Sequence, residues 1–178
     1  MGQQITTDTR QQAGKHVHKD KWFAAHGVET VRAKLDFGDY MVDGSNVSVD
    51  TKRDVAEVAA NIGGRQHQRF KRECQRAQAA GCRLVVLVEN LDGYGSVRDV
   101  RSWTNSHCMR CVHFARRSCD PHDAKGTCLR HGTKKPIQGP RLAKAMETME
   151  RRYGVRFEFC RPRDAAERIC DLLGVDHA

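Results

Sequence analysis

The sequence predicts an α/β fold in which a central mixed β-sheet is flanked by helices, and three observations carry this. Leu84, Val85, Val86, Leu87 and Val88 form an unbroken apolar run, the pattern of a strand buried on both faces. Val55, Val58, Ala59 and Ile62 recur at i, i+3, i+4 and i+7, the period of an amphipathic helix. Toward the end, Leu142, Met146, Met149 and Tyr153 keep helical spacing, Val155, Phe157 and Phe159 alternate, and Ala166, Ile169, Cys170 and Leu173 return to helical spacing. Strands interleaved with helices point to a sheet covered by helices. With 178 residues the chain makes one domain, residues 1–178, long enough to bury roughly 70% of its unfolded surface. Internal repeats and low-complexity segments are absent.

In chain order, Ile5, Thr6 and Thr7 read as a short first strand that delivers Asp8 at its end. Residues 16–26 space Val17, Trp22 and Phe23 as a helix, with Gly27 as its stop. Residues 28–33 are expected to extend into the element that dominates the chain, a hairpin over residues 35–52. Tyr40, Met41 and Val42 on one side and Val47, Val49 and Thr51 on the other are strand formers, and Asp43, Gly44, Ser45 and Asn46 supply turn chemistry. A four-residue loop sets Val42 against Val47, Tyr40 against Val49 and Asp39 against Asp50. Val42, Tyr40, Val47, Val49 and Thr51 then face the core, and Asp39, Asp50 and Lys52 share the other face. Opposed residues have Cβ atoms roughly 5 Å apart, so two carboxylates there repel and call for a cation between them. Mg²⁺ suits, because it is usually held by one or two carboxylates plus substrate phosphates.

Beyond the hairpin, Gly63 and Gly64 end the helix of Val55, and Arg65 is expected to open a second one. Phe70, Cys74 and Ala77 form its inner stripe, Arg69, Lys71, Arg72 and Arg76 mark other faces, and Gly81 closes it. Arg65, Arg69 and Arg72, just past the hairpin, are placed for phosphate contacts. The whole chain carries 31 Lys and Arg against 22 Asp and Glu, a net charge of +9 with a pI near 9.4, which selects a polyanionic partner, nucleic acid first. A polar N-terminus and apolar runs too short for a membrane span lead to the expectation of a soluble intracellular protein, cytoplasmic or nucleoid-associated.

From Trp103 to Gln138 the texture changes. Cys108, Cys111, Cys119 and Cys128 read C-x2-C-x7-C-x8-C, with His107, His113, His122 and His131 interleaved. A leading C-x2-C is a common zinc knuckle, and four Cys or His ligands satisfy tetrahedral Zn²⁺. The four cysteines are the first choice for a structural Zn²⁺ site, with His131 or His113 as a substitute ligand. So short a stretch with little apolar content needs a metal to hold its shape. Arg110, Arg116, Arg117, Lys125, Arg130, Lys134 and Lys135 stand there against Asp120 and Asp123, which suits an added DNA grip, a dimer brace or a partner surface.

Four short motifs occur in one order: Asp8-Thr9-Arg10-Gln11, Gly38-Asp39-Tyr40, Val49-Asp50-Thr51-Lys52 and Gly64-Arg65. This set resembles the nuclease domain of the XPF family (XPF/Hef-type), structure-specific endonucleases of the PD-(D/E)xK superfamily. The resemblance covers residues 5–90 and resumes from about residue 138, so the Cys/His-rich stretch 103–138 looks like an insertion. Asp50 stands where the family has Glu, Thr51 where it has Arg, and Gln11 where it has Glu. The resemblance implies a restriction-endonuclease-like core and a metal-dependent DNA endonuclease of repair or recombination, acting on branched, forked or flapped DNA. It implies that Asp39 and Asp50 ligate Mg²⁺ or Mn²⁺, that Asp8 completes or orients the site, and that Lys52 positions the attacking water. Arg10 joins the DNA-binding set, and a homodimer or paired subunit is a further implication. The competing reading is a catalytically silent DNA-binding or scaffolding module of the same fold, against which the retained Asp39, Asp50 and Lys52 speak.

Overall fold

The computed structural model describes residues 3–11, 14, 16–64, 66–123 and 126–177. Its strands are β1 (Ile5–Asp8), β2 (Thr30–Ala33), β3 (Tyr40–Val42), β4 (Val47–Lys52), β5 (Arg83–Glu89) and β6 (Arg156–Cys160). They form one sheet in the order β2-β1-β3-β4-β5-β6. The β3–β4 hairpin runs antiparallel, β4, β5 and β6 run parallel, and β1 pairs antiparallel with β3 and parallel with β2. The expected mixed sheet is therefore present. Residues 30–33 do not lead straight into the hairpin but form an exposed edge strand beside β1.

Helices α1 (Val17–Ala25) and α7 (Ala165–Leu173) cover one face. There Ile5, Tyr40, Val42, Val49, Val85 and Leu87 pack with Phe23, Ala166, Ile169, Cys170 and Leu173. Helices α2 (Val55–Gly63), α3 (His67–Ala79) and α6 (Gly139–Tyr153) cover the other. Leu84, Val86, Val88 and Phe157 meet Val58, Ile62, Phe70, Cys74, Leu142 and Met146 on that side. Alternating side chains of β5 thus enter two separate cores, which is why its run is apolar throughout. The stripes read for α2, α3, α6 and α7 point inward, whereas on α1 Phe23 is buried, Trp22 is half-buried and Val17 is exposed; Gly154 (φ 65°) ends α6 in the left-handed region as a C-terminal glycine does.

Residues 103–138 leave and rejoin this frame at one point. Gly139 donates its N–H to Trp103 O at 2.9 Å, and a Cβ on Gly139 would lie only 2.3 Å from Val100 O, so the two stems meet at a position that tolerates no side chain. Between them lie two single-turn helices, α4 (Ser106–Met109) and α5 (Val112–Ala115), and a bridge between Thr127 and Lys134. Among the described residues no helix is long and apolar enough to cross a membrane.

Helix α1 is held by polar as well as apolar contacts. Lys19 is 2% exposed, and its Nζ lies 2.5 Å from Glu89 Oε1 at the C-terminal end of β5. His16 Nδ1 shares a 2.8 Å hydrogen bond with the buried Tyr40 hydroxyl. A buried charge that loses its partner is far costlier than a pair replaced whole. Lys19→Met is expected to destabilise the fold by about 3–5 kcal/mol, and the Lys19→Met, Glu89→Leu double variant to recover most of it, as read from urea unfolding.

Candidate active site

The site forms where β1, β3 and β4 end side by side and α3 crosses above them. Strand β1 delivers Asp8, 4% exposed. Its Oδ1 accepts from Arg10 N (3.2 Å) and Leu35 N (3.4 Å), and its Oδ2 from Arg10 Nε (2.8 Å). Arg10 also donates to Leu35 O. Asp8 thereby fixes the loop that follows β1 and aims Arg10. Gln11 donates its side-chain amide to Asp39 O at 2.9 Å, so the residue at this motif position ties β1 to the hairpin.

The hairpin keeps the expected pairing of Tyr40 with Val49, but the ladder stops there. Gly38 turns the chain with φ 71°, and Asp39 donates its N–H to Val49 O at 2.7 Å. Asp39 is therefore not paired with Asp50 across a regular ladder. Its Oδ2 instead accepts from Thr51 N at 2.9 Å and Thr51 Oγ1 at 2.6 Å. Thr51, expected to be a packing residue, is buried and holds the Asp39 carboxylate in place. A side chain on Gly38 would be strained by its φ and would put Cβ 2.1 Å from Ser48 Oγ, so glycine is required where the chain turns into Asp39.

Asp50 and Lys52 do share a face, as the alternation requires, yet that face is not open. It lies beneath α2 and α3, leaving Asp50 5% and Lys52 6% exposed. The Lys52 ammonium touches Asp50 Oδ2 and sits 5.5 Å from the centroid of the Phe70 ring. No hydrogen bond of regular geometry reaches Asp50 Oδ2 among the described residues. Burial pushes the Asp50 carboxyl up from its ordinary range to about 7; Lys52 opposes the shift, and the charges of Asp39 and Glu73 add to it.

Glu73, on α3, belongs to this site although the sequence reading passed over it. Its Oε1 accepts from Gly38 N at 2.9 Å. The available signal was its position as the one acid in a helix that carries Arg69, Lys71, Arg72 and Arg76. Asp8, Arg10, Asp39, Asp50, Lys52 and Glu73 line a cleft of about 680 Å³, rimmed by Arg53, Arg69 and Arg76. Arg72 is exposed on α3 away from the cleft lining, and Arg65 and Lys125 lie outside the described residues. Asp54 and Glu57 cap α2: Asp54 Oδ1 accepts from Glu57 N, and Glu57 Oε2 from Arg53 N.

A second convergence lies in the cysteine-rich stretch. Cys108, Cys111, Cys119 and Cys128 line one cavity of about 20 Å³ together with His113 and His131. All are free thiols. Cys108 Sγ accepts from Gln138 Nε2 at 3.2 Å, and Gly132 N donates to Cys128 O at 2.8 Å in the turn that carries His131. Among the described residues no three His, Cys, Asp or Glu side chains are already grouped to hold a metal, here or in the cleft.

The fold is matched in known proteins. Residues 7–172 match the ERCC4 domain. The chain belongs to the ERCC4-domain family. XPF from Aeropyrum pernix superposes with a TM-score of 0.55 at 16% identity, over 96% of this chain and 63% of that one. The same protein in complex with DNA gives 0.54 at 16% identity, over 97% and 64%. This chain thus spans less than two thirds of those structures, and they share its fold. No curated protein matches it by sequence.

Two outcomes are expected. The Gly38→Ala variant should lose more than about 1 kcal/mol in urea unfolding, because it combines φ strain with a steric clash. Asp50 has a folded pKa above its unfolded value, so its stabilising effect is complete below about pH 4 and is lost as pH rises through about 7. The urea midpoint of the metal-free protein, measured from pH 4 to 8, should fall across that window.

Proposed function

We propose that this ERCC4 domain is a metal-dependent endonuclease that hydrolyses DNA phosphodiester bonds, structure-specifically, on branched, forked or flapped DNA. The observation that carries this reading is the buried Asp50 oxygen without a regular hydrogen bond, beside Lys52, on the floor of a cleft rimmed by arginines. Mg²⁺ or Mn²⁺ fits the donor set: Asp50 and Asp39 contribute carboxylate oxygens crowded enough to repel, and substrate phosphates would complete the shell. The cation, when bound, would supply charge neutralisation at the phosphate and activation of water.

The chain's own groups do the remainder. Thr51 holds Asp39 in one orientation, so that carboxylate need not reorganise as charge develops. Asp8 orients the site through Arg10, whose guanidinium, with Arg69, faces the DNA backbone. Arg72, on α3, and Arg65, which precedes that helix in sequence, are further proposed contacts. Lys52, relieved of Asp50 by the cation, is free to position the attacking water or to bind a phosphate oxygen. A homodimer or a paired subunit would widen the DNA surface, in an intracellular setting.

For residues 103–138 we propose an inserted structural Zn²⁺ module with Cys108, Cys111, Cys119 and Cys128 as ligands and His131 or His113 as substitute. The donor set is of the right type, the cavity has room for a single atom, and Gln138 offers an N–H to the Cys108 sulfur, the kind of hydrogen bond that orients a metal-bound thiolate.

The deciding experiment is cleavage of labelled duplex, forked, flapped and single-stranded DNA with Mg²⁺ or Mn²⁺. The parent should cut and an Asp50→Ala, Lys52→Ala double variant should lose at least about 10³-fold in rate while still binding DNA. Binding without cleavage by both would favour the catalytically silent module. The purified protein is also expected to carry one equivalent of zinc and to lose ordered structure around Trp103, read by its fluorescence, when a strong chelator removes it.

A further inference from the structure

We propose that Glu73, on α3, provides the third carboxylate toward the divalent cation, while Asp8 serves as the anchor of Arg10. This rests on the reading that the cleft takes such a cation. Asp8 already has three donors on its two oxygens, so it has little left to offer. Asp39 spends only Oδ2, on Thr51, and Oδ1 has no hydrogen-bond partner among the described residues. Asp50 presents its buried Oδ2 with Lys52 as its sole close neighbour of opposite charge among the described residues. Glu73 completes the set: Oε1 takes the Gly38 N–H, and Oε2 has no hydrogen bond or ion pair among the described residues.

The placement of Glu73 follows from a continuous run of bonds. Gly38 directly precedes Asp39, so the Glu73–Gly38 bond sets the Glu73 carboxyl beside the backbone that leads into Asp39, and both residues line the cleft. The two bonds from Thr51 bring Asp39 in turn to the backbone of the residue after Asp50. Glu73 also sits four residues after Arg69 and three before Arg76 on its own helix, spacings that favour ion pairs, yet it pairs with neither. A half-buried carboxylate that pairs with neither of these guanidiniums and lines the cleft with two other carboxylates is placed for a cation shared with them.

The test is binding of Mn²⁺ to the metal-free protein without DNA, followed by electron paramagnetic resonance and calorimetry, for the parent, E73Q and D8N. The E73Q substitution keeps an oxygen to accept from Gly38, so its melting temperature should stay within a few degrees of the parent. Its Mn²⁺ affinity should fall at least tenfold, while D8N stays within threefold. Parent-like Mn²⁺ binding by E73Q would overturn the proposal, as would a loss in D8N as large as in E73Q. A large fall in the E73Q melting temperature would make Glu73 a structural residue and overturn it too. Failure of the parent itself to bind Mn²⁺ or cleave DNA would instead overturn the divalent-cation reading beneath it.

Discussion

Burying Asp50 and Lys52 at the end of β4 is the constraint to which the rest of this molecule answers. Two opposite charges beneath α2 and α3 cost several kcal/mol each in lost hydration, and their contact offsets that cost only in part. The surroundings show what keeps such a pair in place. Asp39 is immobilised by Thr51, Gly38 by Glu73, and the first strand by Gln11 and Arg10. Each bond joins the end of one strand to another element, so the carboxylates are held by the sheet rather than by their own rotamers. A site preorganised in this way avoids the reorganisation that a flexible loop would require.

The opposite face of the sheet has its own buried pair, Lys19 with Glu89, and its own hydrogen bond from Tyr40 to His16. Those contacts press α1 onto the strands whose ends carry the site, and His16 also borders the cleft. Helix α1 follows the loop of Asp8, Arg10 and Gln11 directly in sequence. Stability on one face and geometry on the other are linked through the two strands they share.

The departures from the family pattern acquire physical content in this setting. Thr51 replaces a long cation by a short hydroxyl, and the hydroxyl with its own amide grips Asp39. Gln11 replaces a carboxylate by an amide, which donates to the Asp39 carbonyl as a carboxylate could not. Asp50 is shorter than the usual Glu by one methylene and stays buried near Lys52. The Glu73 carboxylate of α3 lines the same cleft. The cysteine-rich stretch is joined to the core through Gln138, whose side chain contacts both Asn105 N and Cys108 Sγ. That residue couples the stem of the stretch to its sulfur cluster.

Hydrophobic periodicity determined by itself the buried strand β5 and the inward stripes of α2, α3, α6 and α7, because burial follows a local pattern of period 2 or 3.6 that the chain states outright. The order of the four short motifs likewise made the ERCC4-type fold legible. Tertiary structure alone decided that both faces of the hairpin are covered, because closure by α2 and α3 depends on residues far along the chain. It alone replaced a regular Asp39–Asp50 pairing by the Asp39–Thr51 bonds, through the turn at Gly38. Glu73 entered the site the same way: a charge one turn from a buried stripe looks solvated in sequence, and only the angle at which α3 crosses the sheet brings it to Gly38. Local pattern reports what a residue buries, and long-range packing reports what it touches.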